Sequence, residues 1–271
     1  MLNDIMKPWH LYPIRSRSRR NFGTADASLA HRTSNGVWVI IALILALGFM
    51  LSRDKLAQLS FSTGNYYFNV GGKGIYDMGR AEKYYRGALW LNPSVPDAWH
   101  QLARIDFLRG DFPAALEKIN KQLAVHGDSL MASYYIRGLI QGYAGNLEGA
   151  EADFVKFLAW DPQNWATHND LAWIYFRKGE FAKAAEIARR GLETNSENPW
   201  LLNSLGVALI NLEKKDEAHE VLARASRSAA SLTEFDWHRA YPGNDPRDAA
   251  KGLEEIKRKI EFNIRMAGLS R

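Results

Sequence analysis

Two kinds of hydrophobic pattern divide the chain. From Val37 to Leu51 every side chain is apolar or absent, and the uncharged stretch reaches from Thr33 to Ser52, between Arg32 and Arg53. Beyond it, apolar positions recur at three and four residues in short stripes, punctuated by Gly, Asp, Asn and Pro. A continuous run keeps no face for water, whereas stripes of this spacing predict amphipathic helices of three to four turns with one buried face. The last stripe, Ala249, Leu253, Ile256, Ile260 and Ile264, has Glu254, Glu255, Lys257, Arg258 and Lys259 between its members. Asp245-Pro246 stands before it as an N-cap followed by proline at the first helical position.

The uncharged stretch predicts a single membrane-spanning helix over residues 37–52. Twenty residues at ~1.5 Å rise give ~30 Å, the thickness of a bilayer core, and Trp38 stands near one end, where an interfacial aromatic belongs. Two other readings compete. Ala46-Leu47-Gly48 has the small-x-small form of a signal-peptide cleavage site, and residues 8–35 are rich in Arg and Ser, as organellar transit peptides are. Six basic residues precede the span, and only Arg53 and Lys55 follow closely. The positive-inside rule therefore predicts a single-pass membrane protein with a cytoplasmic N-terminus and an extracytoplasmic body, periplasmic or at the cell surface in a bacterium. Arg15, Arg17, Arg19 and Arg20 form a basic cluster that sets this topology and is suited to anionic lipid head groups.

The striped region repeats itself. Ala81, Ala115, Ala150, Ala184 and Ala218 each precede an apolar or small residue four positions on, at spacings of 34, 35, 34 and 34. Gly110, Gly145 and Gly179 stand five residues before the alanine, and Pro93 and Pro162 twelve after it. Upstream, Trp99-x-x-Leu102-Ala103, Leu171-Ala172-x-x-Tyr175 and Leu202-x-x-Leu205-Gly206 fall in phase. Small residues let paired helices approach closely, glycine supplies the left-handed turn between them, and proline stops the second helix. One such hairpin cannot bury its stripe alone, but a stack of them can.

On these residues the chain resembles the tetratricopeptide repeat family across residues 56–225. The resemblance implies an all-α solenoid of about five helical hairpins. Several positions depart from the family pattern. The first repeat has a stretched turn, Asn69 to Tyr76; Arg137 and Gln141 replace apolar residues; Glu213 stands where a glycine is usual, and Ser196 where a proline could close repeat four. The expected organisation is a disordered basic tail (1–36), the transmembrane helix (37–52), the solenoid (53–230), a turn-rich linker (231–245) and a C-terminal capping helix (246–267).

Charge and composition narrow the chemistry. The net charge of +5 belongs almost wholly to the tail: residues 1–36 hold six basic and two acidic residues, the remaining 235 hold 29 and 28. The body thus offers no broad field for nucleic acid. The chain has no cysteine, which excludes disulfides and thiolate metal sites. Its seven histidines form no ligand pattern, so no metal is expected. Gly71-Gly-Lys-Gly74 lacks the upstream glycine and the Ser or Thr of a phosphate loop. No nucleophile elbow occurs, and the acids read as spread over solvent faces. No enzyme activity and no cofactor are expected.

The resemblance also implies a concave groove lined by the first helix of each repeat. Carried over by position, it offers His100, Arg104 and Phe107 from repeat two, Tyr135 and Leu139 from repeat three, Asn169, Trp173, Phe176 and Arg177 from repeat four, and Asn203 from repeat five. Arg104, Tyr135, Trp173, Phe176 and Arg177 are expected to form one continuous surface, with Asn169 and Asn203 able to bond a peptide backbone. The competing reading packs some of them against the capping helix. The expected function is a membrane-anchored scaffold or assembly factor that binds a peptide or partner helix. The alternative is a chaperone-like adaptor serving a membrane enzyme complex.

Overall fold

The computed structural model describes residues 26–72, 74–241 and 243–268. Twelve α-helices occur among them, and the only β feature is an isolated bridge between Phe68 and Tyr76. Helix α1 runs Asp26–Tyr67, and the boundary between two compact units falls inside it, after Leu51.

In the first unit the apolar side chains from Val37 to Met50 are exposed. Among the described residues no single helix is long and apolar enough to cross a membrane; Gly36–Met50 and Ser52–Tyr67 meet that measure only as a pair across a break. The expected span at 37–52 is therefore not supported as one crossing helix. The fifteen residues Gly36–Met50 cover roughly 22 Å, short of a ~30 Å core, and Arg53, Asp54 and Lys55 follow directly. The basic cluster of Arg15 to Arg20 and most of the expected tail lie outside the described residues.

The second unit is a stack of hairpins. Residues 52–67 of α1 pair with α2 (Met78–Leu91). They are followed by α3 (Ala98–Leu108) with α4 (Phe112–His126), α5 (Ala132–Ala144) with α6 (Leu147–Trp160), α7 (Trp165–Arg177) with α8 (Phe181–Thr194), and α9 (Pro199–Asn211) with α10 (Lys215–Ala230). The alanine series forms the seam of each hairpin, with Ala81, Ala115, Ala150, Ala184 and Ala218 all fully or almost fully buried. Glycine does the same work on the facing helix. A Cβ at Gly206 would stand 2.4 Å from the Leu222 side chain.

Local chemistry sets where the helices begin and end. Asp77, Asp111, Asn146, Asn164 and Asn198 each accept a hydrogen bond from the N–H three residues on, at 2.9–3.1 Å. Gly110, Gly145 and Gly179 turn the chain with φ of +78°, +92° and +76°, and Glu213 takes the same left-handed conformation at +61° despite its side chain. Pro93 and Pro162 follow the ends of α2 and α6. The stretched first turn closes through Ile75 N–H to Tyr66 O at 2.8 Å and Asp77 N–H to Tyr67 O at 2.7 Å.

The acids are not confined to solvent faces, contrary to the sequence expectation. Asp106 and Asp153 are buried. Arg137 grips Asp153 through Nε and Nη2, both at 2.7 Å, and Gln141 Nε2 donates to the same carboxylate at 2.6 Å. Arg137 and Gln141 thus depart from the apolar pattern because α6 supplies their common partner. Lys118 pairs with Asp106 in the same way between α3 and α4. Trp90 and Trp160 are exposed.

After α10, residues 231–245 contain a short helix, α11 (Glu234–Ala240), where a turn-rich linker was expected. Asp236 starts it by accepting from the N–H and hydroxyl of Thr233, at 2.9 and 2.7 Å. Trp237 then packs on Gly252 of α12 (Ala249–Gly268). Helix α12 buries Ala249, Leu253, Ile256 and Ile260 in its single apolar stripe and closes the stack over α9 and α10.

Candidate functional site

The first helices of successive hairpins turn their i, i+3, i+4 faces into a common hollow. There α3 contributes His100, Arg104, Phe107 and Leu108, α5 contributes Tyr135, Leu139 and Tyr143, and α7 contributes Trp165, Asn169 and Asp170. Trp200 at the head of α9 completes one side. Ala240 at the end of α11, with Tyr241 and Asn244 in the connector between α11 and α12, forms a further wall. The cavity holds about 510 Å³, within the range of about 300–1,000 Å³ common for ligand pockets.

The connector crosses the stack from its C-terminal end to its first repeat. Tyr241 OH accepts from Trp200 Nε1 at 3.0 Å, and Tyr76 OH donates to the Gly243 carbonyl at 3.1 Å. Gly243 has φ +91° and packs on the Arg104 guanidinium so closely that a Cβ would stand 2.1 Å from Nη2. The hollow is consequently a walled cavity rather than an open trough.

Arg104 donates from Nη1 to Gln101 Oε1 at 2.8 Å, and its guanidinium lies 5.1 Å over the Phe68 ring. Burial lowers its pKa. His100 is buried one turn earlier, with Nδ1 3.3 Å from Ser133 Oγ. Burial, reinforced by Arg104, pushes its pKa down to about 3, so the ring is neutral. Deeper in the cavity, Tyr135 OH donates to Asp170 Oδ2 at 2.8 Å, while its ring packs on Phe154 and Phe157. Burial raises the Asp170 carboxyl from 3.8 to about 6, against hydrogen bonds from Tyr135 and Asn169 that hold it down. Asn169 Oδ1 in turn accepts from Ser204 Oγ at 2.8 Å.

The structure divides the residues expected from sequence. His100, Arg104, Phe107, Tyr135, Leu139 and Asn169 line the cavity. Trp173, Phe176, Arg177 and Asn203 do not. Trp173 packs its ring on Tyr143 at 5.1 Å with the Arg177 guanidinium 5.2 Å over it, and Phe176 packs on Phe181. These rings extend the Phe112–Phe107–Tyr143 series as a ridge at the cavity's edge. Asn203 accepts from Asn263 of α12 at 2.8 Å, in a separate cleft of about 430 Å³. The five residues expected to form one surface, Arg104, Tyr135, Trp173, Phe176 and Arg177, are thus divided between the cavity lining and the ridge at its edge, and both amides have partners within the chain.

Sequence reasoning passed over Asp170, Trp165 and the connector. Asp170 follows Asn169 on α7 and faces α5, a position that periodicity alone assigns to a helix flank. Its partner Tyr135 lies 35 residues away, one repeat earlier; that phase difference of one repeat was the available signal. Gly71 and Gly72 lie in a single turn that follows helix α1, and among the described residues no cluster of three His, Cys, Asp or Glu side chains could hold a metal.

Residues 143–195 match the family model for the tetratricopeptide repeat. Among curated proteins, the chain is 28% identical over 141 residues to the anaphase-promoting complex subunit CDC16 of Saccharomyces cerevisiae, covering 51% of this chain and 16% of that one. It is 28% identical over 133 residues to the BBSome complex member BBS4 of Bos taurus, covering 49% and 25%. The chain therefore spans at most a quarter of the length of these relatives. Among solved structures, PilF of Pseudomonas aeruginosa superposes with a TM-score of 0.58 at 18% identity, over 79% of this chain and 97% of that one. MamA gives 0.53 at 16%, over 72% and 96%. The fold is that of a tetratricopeptide-repeat solenoid, and proteins with these repeats generally mediate protein–protein interactions.

Proposed function

We propose that the protein is a membrane-anchored interaction module that presents its concave cavity to a protein partner, as a scaffold or assembly factor. The cavity carries this reading. Repeats two to four place aromatic rings, a guanidinium and a carboxylate around one hollow, the combination of apolar wall and few polar groups that recognises another molecule. The ridge of Phe107, Tyr143 and Trp173 widens it into a surface on which flanking residues of a partner can lie. The anchor is supported by the uncharged stretch Thr33–Ser52, the basic excess before it and the exposed run Val37–Met50. A crossing completed over the break by residues from Ser52 on would place the N-terminus in the cytoplasm and the repeats on the other side of the membrane.

The test is photo-crosslinking in membranes with the full chain. A photoreactive residue in place of Tyr143, at the cavity mouth, should give a discrete adduct with another polypeptide. The same residue in place of Lys183, on the outer face of α8, should not. No adduct at position 143, or equal adducts at both, overturns the cavity reading. Release of the full chain from membranes by an alkaline carbonate wash overturns the anchor.

A further inference from the structure

The cavity is lined by groups of both signs. Arg104 and the neutral His100 line it from α3. Asp170 lines it from α7 and, among the described residues, makes no ion pair; no basic side chain among them contributes to its charge state, which burial, Tyr135 and Asn169 set. The same cavity is lined by the rings of Tyr135, Tyr143, Trp165, Trp200 and Tyr241. A carboxylate without a counter-charge, enclosed by aromatic rings, is the environment that a cation relieves. The carboxylate gains a charge-assisted partner and the ring faces attract the positive group.

We propose that this cavity is a socket for one lysine or arginine side chain of a partner polypeptide, the cation seated against Asp170 and the aromatic rings. The proposal rests on the reading of the concave cavity as the partner site and adds what that site selects. An anionic group there would meet Asp170, and a neutral one would leave its charge uncompensated. The connector explains why the occupant is a single side chain rather than a strand threaded through the groove. Gly243 against Arg104 and Tyr76, and Tyr241 against Trp200, wall the cavity off along the stack. The mouth lies at Tyr143, 56% exposed, where the aromatic ridge continues outward. That ridge gives a polypeptide carrying the basic side chain a place for its neighbours, which a free amine lacks.

The experiment screens a random heptapeptide display library on the detergent-solubilised full chain. Enriched peptides should share Lys or Arg at one position, and Asp170→Asn should lose them. By calorimetry, replacing that lysine with norleucine should weaken binding to the wild-type chain at least tenfold and to Asp170→Asn less than twofold. The norleucine comparison on the wild-type chain needs no variant, so it stands even where Asp170→Asn folds poorly. Enriched peptides with no common basic position overturn the socket while leaving the cavity as a partner site. No enrichment at all overturns both. Binding of spermidine with the same dependence on Asp170, where lysine peptides fail, overturns the polypeptide source.

Discussion

The Tyr76 hydroxyl donates to the Gly243 carbonyl at 3.1 Å across 167 positions of sequence, joining the loop of the first hairpin to the connector that follows the last. A solenoid ordinarily makes contacts only between neighbouring repeats, so that its ends are independent. Here the connector returns along the concave side and ties repeat one to the cap. The cavity owes its third wall to that tie.

The tie depends on a glycine. Gly243→Ala would place a methyl group against the Arg104 guanidinium and force a side chain into φ +91°, each costing of the order of 1–3 kcal/mol. The connector can escape that cost by lifting away. Hydrogen exchange at residues 240–244 should therefore accelerate at least tenfold, with only a small drop in global melting temperature. A large drop in melting temperature with unchanged local exchange would contradict the tie.

The seam between hairpin helices should be far less forgiving. Gly206→Ala directs a Cβ to within 2.4 Å of the fully buried Leu222 side chain. Neither α9 nor α10 can move without disturbing the cap, so a loss of about 2 kcal/mol is expected in urea unfolding. No measurable loss would mean that α9 and α10 do not pack closely at this point.

Asp153 tests whether the polar exceptions in repeat three act as a unit. It is 4% exposed and receives three hydrogen bonds from Arg137 and Gln141. Asp153→Ala leaves three donors, on Arg137 and Gln141, facing a void and should cost about 3 kcal/mol or more. Adding Arg137→Leu and Gln141→Leu to it should restore much of that loss, because all three polar groups are then replaced by apolar ones. Failure of the triple variant to recover would show that packing, not the polar network, holds α5 to α6 there.

How much of this was legible in sequence follows from the range of each signal. The hairpin seam was legible because Ala81 to Ala218 recur at a fixed period and each contact lies within one repeat. Glu213 was legible as a departure, and it takes the left-handed turn because its position in the repeat demands it. The Arg137–Asp153 network was visible only as two misplaced polar residues, since nothing in periodicity names their partner. The connector was not legible. Its contacts with Tyr76, Arg104 and Trp200 join distant segments, and Ala240 to Asn244 carry no pattern beyond turn chemistry. Asp170 was missed for the related reason that its neighbours come from other repeats.

Two cavity groups, the half-buried Asp170 and the buried His100, give opposite pH dependences, and their variants should separate them. Asp170 ionises at 3.8 ordinarily and at about 6 in the folded chain. The folded state therefore holds its proton more tightly, and this residue's contribution to stability is greatest below pH 4 and is lost as pH rises to 6. The loss is about 2 kcal/mol after allowing for solvent in the cavity. The groups facing Asp170 are Tyr135, Tyr143 and Tyr241, all with raised pKa values and none titrating in this window. His100 acts in the other sense: its pKa falls from 6.5 to about 3, so the folded state refuses a proton that the unfolded chain accepts, and stability is lost as pH falls from 6.5 toward 3. His168, also lowered by burial, has the same sign. Asp170→Asn should accordingly raise stability near pH 7.5 by about 2 kcal/mol and leave a profile that falls more steeply on acidification. His100→Gln should do the reverse on the acid side, flattening the fall below pH 6. Urea midpoints from pH 4 to 8 on the three proteins measure both slopes. An Asp170→Asn profile parallel to wild type would mean that the carboxyl titrates normally and that the cavity around Asp170 is wetter than its walls imply.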